Sequence, residues 1–307
     1  MYDLIGDIHG YATVLKKLLK KLGYEQRDRV FRHPERKVIF VGDYIDRGPE
    51  IRETLKLVRS MEKTGEAIAL MGNHEFNAIM YNEPDGGGGY LRPHTANNWK
   101  QHREMLRQFE GNENEYHDYI KWFNDLAIFY EDDDLRAIHA CWDQQMVDEL
   151  QDYTTGNILK NSYFPKAGQK STYLYTLMDD LLKGKEVALP DGVSFRDKDG
   201  HERKEIRVRW WLNPEEVSFS EWSINRNIDG LIEKNVPEGY MDIPHYQKDR
   251  RPVFFGHYWL HETPRLQRSN VCCLDYSIGN RDKLVAYRFN GEQDLDSENL
   301  VWIEYKN

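Results

Sequence analysis

Residues 37–49 read KVIFVGDYIDRGP, a stretch in which an apolar run passes directly into a polar turn. The first five residues, KVIFV, have the β-branched and aromatic composition of a buried strand. A helix is predicted after the turn, because Ile51, Leu55 and Val58 recur at helical spacing. The stretch therefore predicts a strand, a polar turn that carries Asp43, and a helix, which is the repeating unit of a layered α/β fold.

The same succession of apolar run and polar residue recurs along the chain. The other predicted strands, with the residues that follow them, are 2–5 before GDIHG, 67–71 before GNHE, 135–138 before His139, and 253–255 before His257. In open α/β sheets, ligands bind beyond the carboxyl ends of the strands. We therefore expect the five polar turns to surround one crevice.

Each of these polar residues also has an ordinary structural explanation when it is taken alone. Asp43 suits a helix start, Asn73 suits a turn, and His139 suits a satisfied position in the core. Five such residues at five strand ends are much harder to explain in that way. The coincidence favours a shared functional site.

The residue types in these turns suit a site that holds two metal ions. The candidate ligands are Asp7, His9, Asp43, Asn73, His139 and His257. Carboxylate oxygens and imidazole nitrogens are ligands that borderline cations accept. Asp43 has a carboxylate able to bridge two ions, while Asp7 and His9 are close enough in sequence to reach one of them. Two carboxylates facing two divalent cations leave net positive charge, which a phosphate can neutralise.

The turns GDIHG, GDYIDRG and GNHE, a strand-borne histidine and a later GH resemble the motifs of the calcineurin-like metallophosphoesterases. More narrowly, they resemble the phosphoprotein-phosphatase branch of that family. This branch includes Ser/Thr phosphatases, bacterial diadenosine-tetraphosphatases and the phosphatase module of bacterial polynucleotide kinase-phosphatases. The resemblance covers about residues 1–81, 135–143 and 252–289, and its motifs are specific.

The resemblance implies a definite fold and a definite set of ligands. It implies an α/β fold in which a two-sheet β-sandwich is flanked by helices, and residues 272–289 resemble the strand pair that closes the family's sheet. By motif, one metal ion would be held by Asp7, His9 and Asp43. The ligands implied for the second ion are Asp43, Asn73, His139 and His257.

The resemblance also implies roles for three residues beside the metal ligands. Arg47 would bind the substrate phosphate, and His74 would be the general acid, oriented by Asp46. Arginine presents a planar fork that matches phosphate geometry. A carboxylate partner helps to keep a histidine protonated near neutrality. The alternative for Arg47 is a surface ion pair with Asp46.

The sequence departs from the family pattern at two places. After His139 the family usually has two small residues, and here Ala140 and Cys141 follow, which keeps the turn but narrows the space near the second metal ion. Many Ser/Thr phosphatases also have another phosphate-binding arginine before the last histidine. Arg207 and Arg209 are the candidates, and we take Arg209, although strand alternation also allows a solvent-exposed face for both.

The chain is expected to form a single metallophosphoesterase domain, residues 1–307, that carries a large inserted subdomain or cap at residues 144–251. This insertion is rich in charge and contains Trp210, Trp211 and Trp222. Tryptophans at the rim of a site can stack on a nucleobase. More often such residues form the small core that an insertion needs, and we favour that interpretation. The glycines of residues 86–89 permit a mobile loop or an ordinary connector.

Composition narrows the range of partners. A formal net charge of −10 disfavours sequence-independent binding to nucleic acid, which relies on Lys and Arg. No apolar stretch approaches the roughly 18 residues needed to span a bilayer. The three cysteines form no CxxC pair and suggest neither a disulfide framework nor a zinc site. We expect a cytoplasmic protein without a membrane partner.

The leading hypothesis is a dinuclear metal-dependent phosphohydrolase that uses a metal-bound hydroxide on phosphate esters or phosphoanhydrides. Nucleotides or dinucleoside polyphosphates are the expected substrates, and a Ser/Thr phosphatase acting on a phosphoprotein is the main alternative. A nucleic-acid end-processing phosphatase and an inactive binding scaffold rank lower. Manganese is the expected metal, with iron or zinc as alternatives. The sequence leaves the oligomeric state open.

Overall fold

The computed structural model describes residues 1–196, 202–224, 228 and 235–306. Two main sheets face each other across a shared apolar core, and helices pack on their outer sides. This arrangement confirms the expected two-sheet β-sandwich flanked by helices.

The strands are β1 Tyr2–Ile5, β2 Glu25–Arg27, β3 Val30–Arg32, β4 Lys37–Phe40, β5 Ala67–Ala69, β6 Phe129–Glu131, β7 Arg136–Ile138, β8 Thr154–Thr155, β9 Ile158–Leu159, β10 Glu186–Ala188, β11 Phe195–Arg196, β12 Glu202–Arg203, β13 Glu205–Arg207, β14 Val253–Phe255, β15 Val271–Cys273, β16 Lys283–Phe289 and β17 Leu300–Glu304. The five strands predicted from sequence are all present, and three of them are one or two residues shorter than predicted.

The helices are α1 Ala12–Lys21, α2 Ile51–Lys63, α3 Asn73–Asn82, α4 Ala96–Gln108, α5 Glu113–Phe123, α6 Gln144–Leu150, α7 Phe164–Ala167, α8 Tyr173–Lys183 and α9 Phe219–Trp222. Helices α2 and α4 contain 13 residues each, whereas about 20 are needed to cross a bilayer. Within the described ranges, no helix combines the length and the apolar character that a membrane span requires.

The first main sheet has the order β17-β16-β1-β4-β5. Strands β1, β4 and β5 are parallel, whereas β16 runs antiparallel to β1 with Tyr2 opposite Phe289. The carboxyl ends of parallel strands meet at one edge of a sheet. The turns that carry Asp7, Asp43 and Asn73 therefore lie side by side.

The second main sheet has the order β15-β14-β7-β6, and β14 is parallel to both β7 and β15. His139 follows β7 and His257 follows β14, so both histidines leave this sheet at the same edge. The prediction that residues 272–289 form a strand pair is wrong. Strand β15 belongs to this sheet and β16 to the other, and the two strands pack across the inter-sheet core instead of sharing hydrogen bonds.

The apolar core has two layers, one on each side of the first sheet. Between the sheets lie residues from both of them, including Leu4, Ile39, Val41, Leu135, Phe254, Cys272 and Val285. On the outer side of the first sheet, α1 and α2 bury their apolar faces, with Leu15, Leu18 and Leu55 fully buried, and the face of α2 is the one that helical spacing predicted. Burial of each such side chain contributes roughly 1.5–3 kcal/mol to the stability of the fold.

The segment predicted as an insertion contributes to two apolar cores. Helices α6 and α8 pack into the main core, whereas β10, β13 and α9 form a separate cluster around Trp222. Trp210, Trp211 and Trp222 are at most 3% exposed. Trp222 belongs to the separate cluster, as the core interpretation predicted, whereas Trp210 and Trp211 are buried in the main core. Parts of residues 144–251 lie outside the described residues, and we retain the single domain with this insertion as a proposal.

Candidate metal centre

The six side chains predicted as metal ligands meet in one buried cluster at the shared edge of the two sheets. They are Asp7, His9, Asp43, Asn73, His139 and His257, and each is at most 7% exposed. Because four strands and the start of α3 deliver them, their positions depend on the core of the sandwich. The structure therefore brings together residues that lie far apart in the chain.

Several of these side chains are aimed by an unusual backbone conformation. His9, Asp43 and His257 have φ angles of 48°, 56° and 68°. Residues other than glycine adopt this left-handed region rarely, and it costs about 1–3 kcal/mol where it is strained. At Gly42, with φ 108°, a Cβ atom would lie 2.6 Å from Gly72 Cα. Only glycine allows these two turns to touch.

The hydrogen bond of His139 shows where its free lone pair points. Nδ1 of His139 lies 2.9 Å from the carbonyl oxygen of Val41, so Nδ1 carries the proton. Its Nε2 then faces Asn73 Oδ1 at 3.0 Å and Asp43 Oδ1 at 3.4 Å. Burial lowers the pKa of His139 and keeps its ring neutral. Three acceptor atoms thus converge without a proton between them, an arrangement that a cation would stabilise.

His9 repeats this arrangement on the other side of Asp43. Its Nδ1 donates to the carbonyl oxygen of Ile45 at 2.9 Å, which leaves Nε2 as a lone pair 3.6 Å from Asp43 Oδ2. Burial lowers the pKa of His9 to about 4. A neutral imidazole held by a backbone carbonyl is the usual form of a metal-binding histidine.

The donor atoms fall into two groups that share Asp43. One group contains His9, Asp43 and His74, and the other contains Asp43, His139 and His257, with the donor atoms of each group within 4.8 Å of one another. A carboxylate common to both groups has the position of a bridging ligand. The residues present therefore fit two metal ions.

Asp7 lies in the same cluster, beside the backbone of His257. Its carboxylate accepts the backbone N–H of His257 at 3.2 Å, and the third member of the first donor group, beside His9 and Asp43, is His74. Burial, together with the carboxylates of Asp275 and Asp43, raises the pKa of Asp7 well above its ordinary value. A cation next to these carboxylates would offset their repulsion.

His74 and Asp46 form the contact that was predicted for an acid and its orienting carboxylate. Nδ1 of His74 lies 2.6 Å from Asp46 Oδ2, and its Nε2 lies 3.9 Å from Asp43 Oδ2. Burial alone would lower the pKa of His74, but Asp43 and the hydrogen bond to Asp46 outweigh it and raise the pKa. The ring is thus held with Nε2 towards the metal cluster.

The two candidate phosphate-binding arginines have different outcomes. Arg47 is exposed and lines the mouth of the site beside His9 and Trp259. In the part of the chain that the structure describes, Arg47 forms no ion pair with Asp46. Arg209 does not face the site, because its guanidinium donates to the backbone carbonyls of Glu221 and Ser223. The prediction for Arg209 is therefore not supported.

Arg207 occupies the position that was expected for Arg209. It lines a cleft of about 1260 Å³ together with Arg47 and His257. Strand β13 ends at Arg207. The alternation of side chains along a strand therefore does not extend to Arg209, and the two arginines need not face the same side. The cleft also contains Trp259, whose side chain is 38% exposed.

Two buried carboxylates near the cluster were not identified from sequence. Glu75 accepts the backbone N–H groups of Asp43 and Tyr44, each at 2.8 Å, and so fixes the turn that carries Asp43. Asp275 accepts those of Ser277 at 2.9 Å and Trp259 at 2.7 Å, and burial raises its pKa to about 6. Asp275 follows β15, so the strand-end pattern could have identified it.

Comparison with known proteins agrees with this architecture. A family model described as calcineurin-like phosphoesterase matches residues 2–257. The asymmetrical bis(5'-nucleosyl)-tetraphosphatase PrpE of Halalkalibacterium halodurans is 43% identical over 74 residues, which are 24% of this chain and 30% of that protein. The symmetrical bis(5'-nucleosyl)-tetraphosphatase of a Marinomonas species is 28% identical over 303 residues, or 94% of each chain.

A solved structure has the same fold at low sequence identity. The cold-active protein-tyrosine phosphatase of a psychrophilic Shewanella species is 16% identical, with a TM-score of 0.51, over 94% of this chain and 75% of that one. At this identity the likeness concerns the fold alone.

Proposed function

This chain belongs to the calcineurin-like phosphoesterase family, and from that premise we propose that it is a metal-dependent phosphohydrolase. The observation that carries the proposal is the convergence of unprotonated acceptor atoms on two sides of Asp43. Two bound cations would lower the pKa of a water molecule and clamp a phosphoryl oxygen.

We propose that Asp7, His9 and Asp43 hold one ion. The ligands proposed for the second ion are Asp43, Asn73, His139 and His257. His257 supports this assignment, since its Nδ1 lies 2.8 Å from Asn73 Oδ1 and its ring packs edge-on against that of His139. Mixed carboxylate and imidazole ligands suit manganese, and iron and zinc are the alternatives.

Arg47 and Arg207 are proposed to hold the phosphate in the cleft. Both residues line it together with His257, and an arginine fork can donate two hydrogen bonds to a phosphate. His74 would protonate the leaving oxygen from Nε2 while Asp46 holds Nδ1. Each role belongs to a side chain that faces the cluster or its mouth.

Among the possible substrates, we propose a nucleotide or a dinucleoside polyphosphate. The cleft is lined by the partly exposed ring of Trp259 and by more basic than acidic side chains. The seven basic residues are Arg47, Lys100, Arg103, Arg203, Lys204, Arg207 and Arg281, and the four acidic ones are Glu104, Glu186, Glu202 and Glu205. Several phosphates would find cations there, and a base would find a surface on which to stack. The relatives named as tetraphosphatases support the same choice.

Protein Ser/Thr phosphatase activity is the main alternative. The buried tryptophans of the insertion do not enclose the site, so they give no reason to exclude a phosphoprotein. We also propose a cytoplasmic location, which agrees with three buried free cysteines in the described chain.

The test compares two substrates on one preparation of the protein loaded with Mn²⁺. Catalytic efficiency is measured for diadenosine tetraphosphate and for a folded phosphoprotein, and bound metal is measured on the same sample. We expect about two ions per chain and a higher kcat/KM for the dinucleotide. A preference for the phosphoprotein would favour the alternative, and no hydrolysis of either compound by metal-loaded protein would contradict the proposed activity.

A further inference from the structure

The carboxylate of Asp46 is shared by two histidines. Its Oδ2 lies 2.6 Å from Nδ1 of His74, and its Oδ1 lies 3.1 Å from Nδ1 of His102. All three side chains are buried, with His102 only 4% exposed. Asp46 therefore has a second partner, which comes from α4 and lies outside every motif that identified the site.

The hydrogen bonds around His102 give the direction of each proton. Nδ2 of Asn82 donates to the Tyr116 hydroxyl at 2.7 Å, which leaves that O–H free to donate to Nε2 of His102 at 3.0 Å. His102 then carries its proton on Nδ1 and donates it to Asp46. Every donor in this series of hydrogen bonds points towards Asp46. Both oxygens of the carboxylate therefore accept a hydrogen bond, one from His102 and one from His74.

This arrangement fixes the charge and the orientation of Asp46. Burial would raise the pKa of Asp46, but His102 and His74 outweigh it and lower the pKa. A buried carboxylate oxygen left without a partner is costly, and the group would turn to seek another donor. Since Asp46 fixes the ring of His74, a turn of the carboxylate would displace Nε2 of His74.

We propose that His102 is a positioning residue that acts on His74 through Asp46. It holds the carboxylate so that the imidazole of His74 presents Nε2 to the leaving oxygen. This inference rests on the proposed function, in which His74 protonates that oxygen. Among the described residues, His102 contacts Asp46, Tyr116 and the ring of Tyr81. Of these three, Asp46 is the residue that is hydrogen-bonded to His74.

The experiment measures kcat on two aryl phosphates with different leaving groups. Phenyl phosphate releases a basic oxygen that needs a proton, whereas 2,4-dinitrophenyl phosphate does not. We expect His102→Gln to lower kcat on phenyl phosphate about 10- to 100-fold, as for other partners that orient a reactive group. On the dinitrophenyl ester the loss should stay below about threefold.

A double variant tests whether the effect passes through His74. When His74 is already Asn, the additional change His102→Gln should lower kcat by less than about twofold, because residues that act as one unit are not additive. Exposed His117 on the neighbouring α5 provides the matched control, and His117→Gln should leave both rates unchanged.

Two further measurements keep the test valid if His102→Gln folds poorly. Tyr116→Phe removes the O–H that faces His102 Nε2 while it retains the ring, and it should give a smaller loss that is still confined to phenyl phosphate. In the metal-free protein, ¹⁵N NMR of the imidazoles should show His102 with its proton on Nδ1. A proton on Nε2 would contradict the inferred hydrogen-bond chain.

The outcomes separate this inference from the proposed function. If the wild-type protein hydrolyses neither ester, the proposed function fails. If the wild-type protein is active but His102→Gln slows both esters equally, or multiplies the loss caused by His74→Asn, then His102 has only a structural role and the inference is overturned.

Discussion

Single side chains decide the charge balance of this site. Asp43 lies between the two donor groups, and its carboxylate is the one group that both of them share. Burial raises the pKa of Asp43, but His139, His74 and His9 outweigh it and hold the pKa below its ordinary value. One negative charge at this position therefore serves both of the proposed metal ions.

Replacing Asp43 by Asn should remove that charge while the shape of the side chain is kept. We expect kcat to fall about 100-fold or more and the metal content to drop below two ions per chain. Steady-state kinetics and elemental analysis on one sample measure both effects. Asp180→Asn, on α8, is the matched control and should keep full metal content. Two ions and full activity in the Asp43 variant would show that the dinuclear assignment is wrong.

Trp259 offers a test of substrate class at the same scale. Its ring lines the cleft, and its backbone N–H is fixed by Asp275 independently of the side chain. Loss of one stacked base costs about 1–3 kcal/mol, so Trp259→Ala should raise KM for diadenosine tetraphosphate about tenfold. KM for inorganic tripolyphosphate, which lacks a base, should not change.

The control for this experiment is Trp99, which is 48% exposed on α4 and lines a different surface groove. Trp99→Ala should leave both KM values unchanged. An equal rise for tripolyphosphate in the Trp259 variant would mean that the ring supports the phosphate site rather than a base.

At the scale of elements, a strand and its following turn explain most of what the sequence could predict. The proposed ligands lie in the turns that follow strands or, for Asn73, at the start of α3, so the local pattern of apolar run and polar turn was sufficient to find Asp43 and His139. His102 reaches Asp46 from a helix 56 positions further along, through packing that no local pattern encodes. The predicted pairing of β15 with β16 was wrong for the same reason, because local sequence does not specify which sheet a strand joins.

Helix α8 contains a carboxyl group that makes stability depend on pH. Burial raises the pKa of Asp180 to about 6, and neighbouring carboxylates add to the effect while Lys185 opposes it. The ordinary value is about 3.9, so the unfolded chain loses this proton first. The contribution of Asp180 to the free energy of unfolding should therefore fall as pH rises from about 4 to about 6.

Asp180→Asn removes this titration and should leave a more stable protein at pH 7.5. We expect the free energy of unfolding to rise by roughly 1–3 kcal/mol at pH 7.5 and to change very little at pH 4. Urea unfolding of metal-free protein at the two pH values measures it. Exposed Asp152→Asn is the control. If the variant and the wild-type protein differ in free energy of unfolding by the same amount at both pH values, the raised pKa assigned to Asp180 is wrong.

At the scale of the whole molecule, the proposed metal ions join the two sheets at their common edge. Asp43 and Asn73 leave the first sheet, and His139 and His257 leave the second. A ligand that binds only the folded state stabilises it by about 2.7 kcal/mol at 100 times its Kd. Metal occupancy should thus be visible in global unfolding as well as in activity.

Adding Mn²⁺ to the metal-free protein should raise Tm by a few degrees, and a chelator should reverse the rise. Calorimetry with and without the ion measures the shift. The Asp43→Asn variant should show little of it, because the shared ligand has lost its charge. The same shift in both proteins would place the stabilising ion elsewhere.

The central position of β1 has a consequence for synthesis of the chain. β1 pairs on one side with β4 and on the other with β16, where Tyr2 lies opposite Phe289. On the ribosome, β1 is therefore made long before its second neighbour and presents an open edge, which can pair with other chains. The proposed ligand His257 follows β14, so the proposed metal site stays incomplete until that strand has been made.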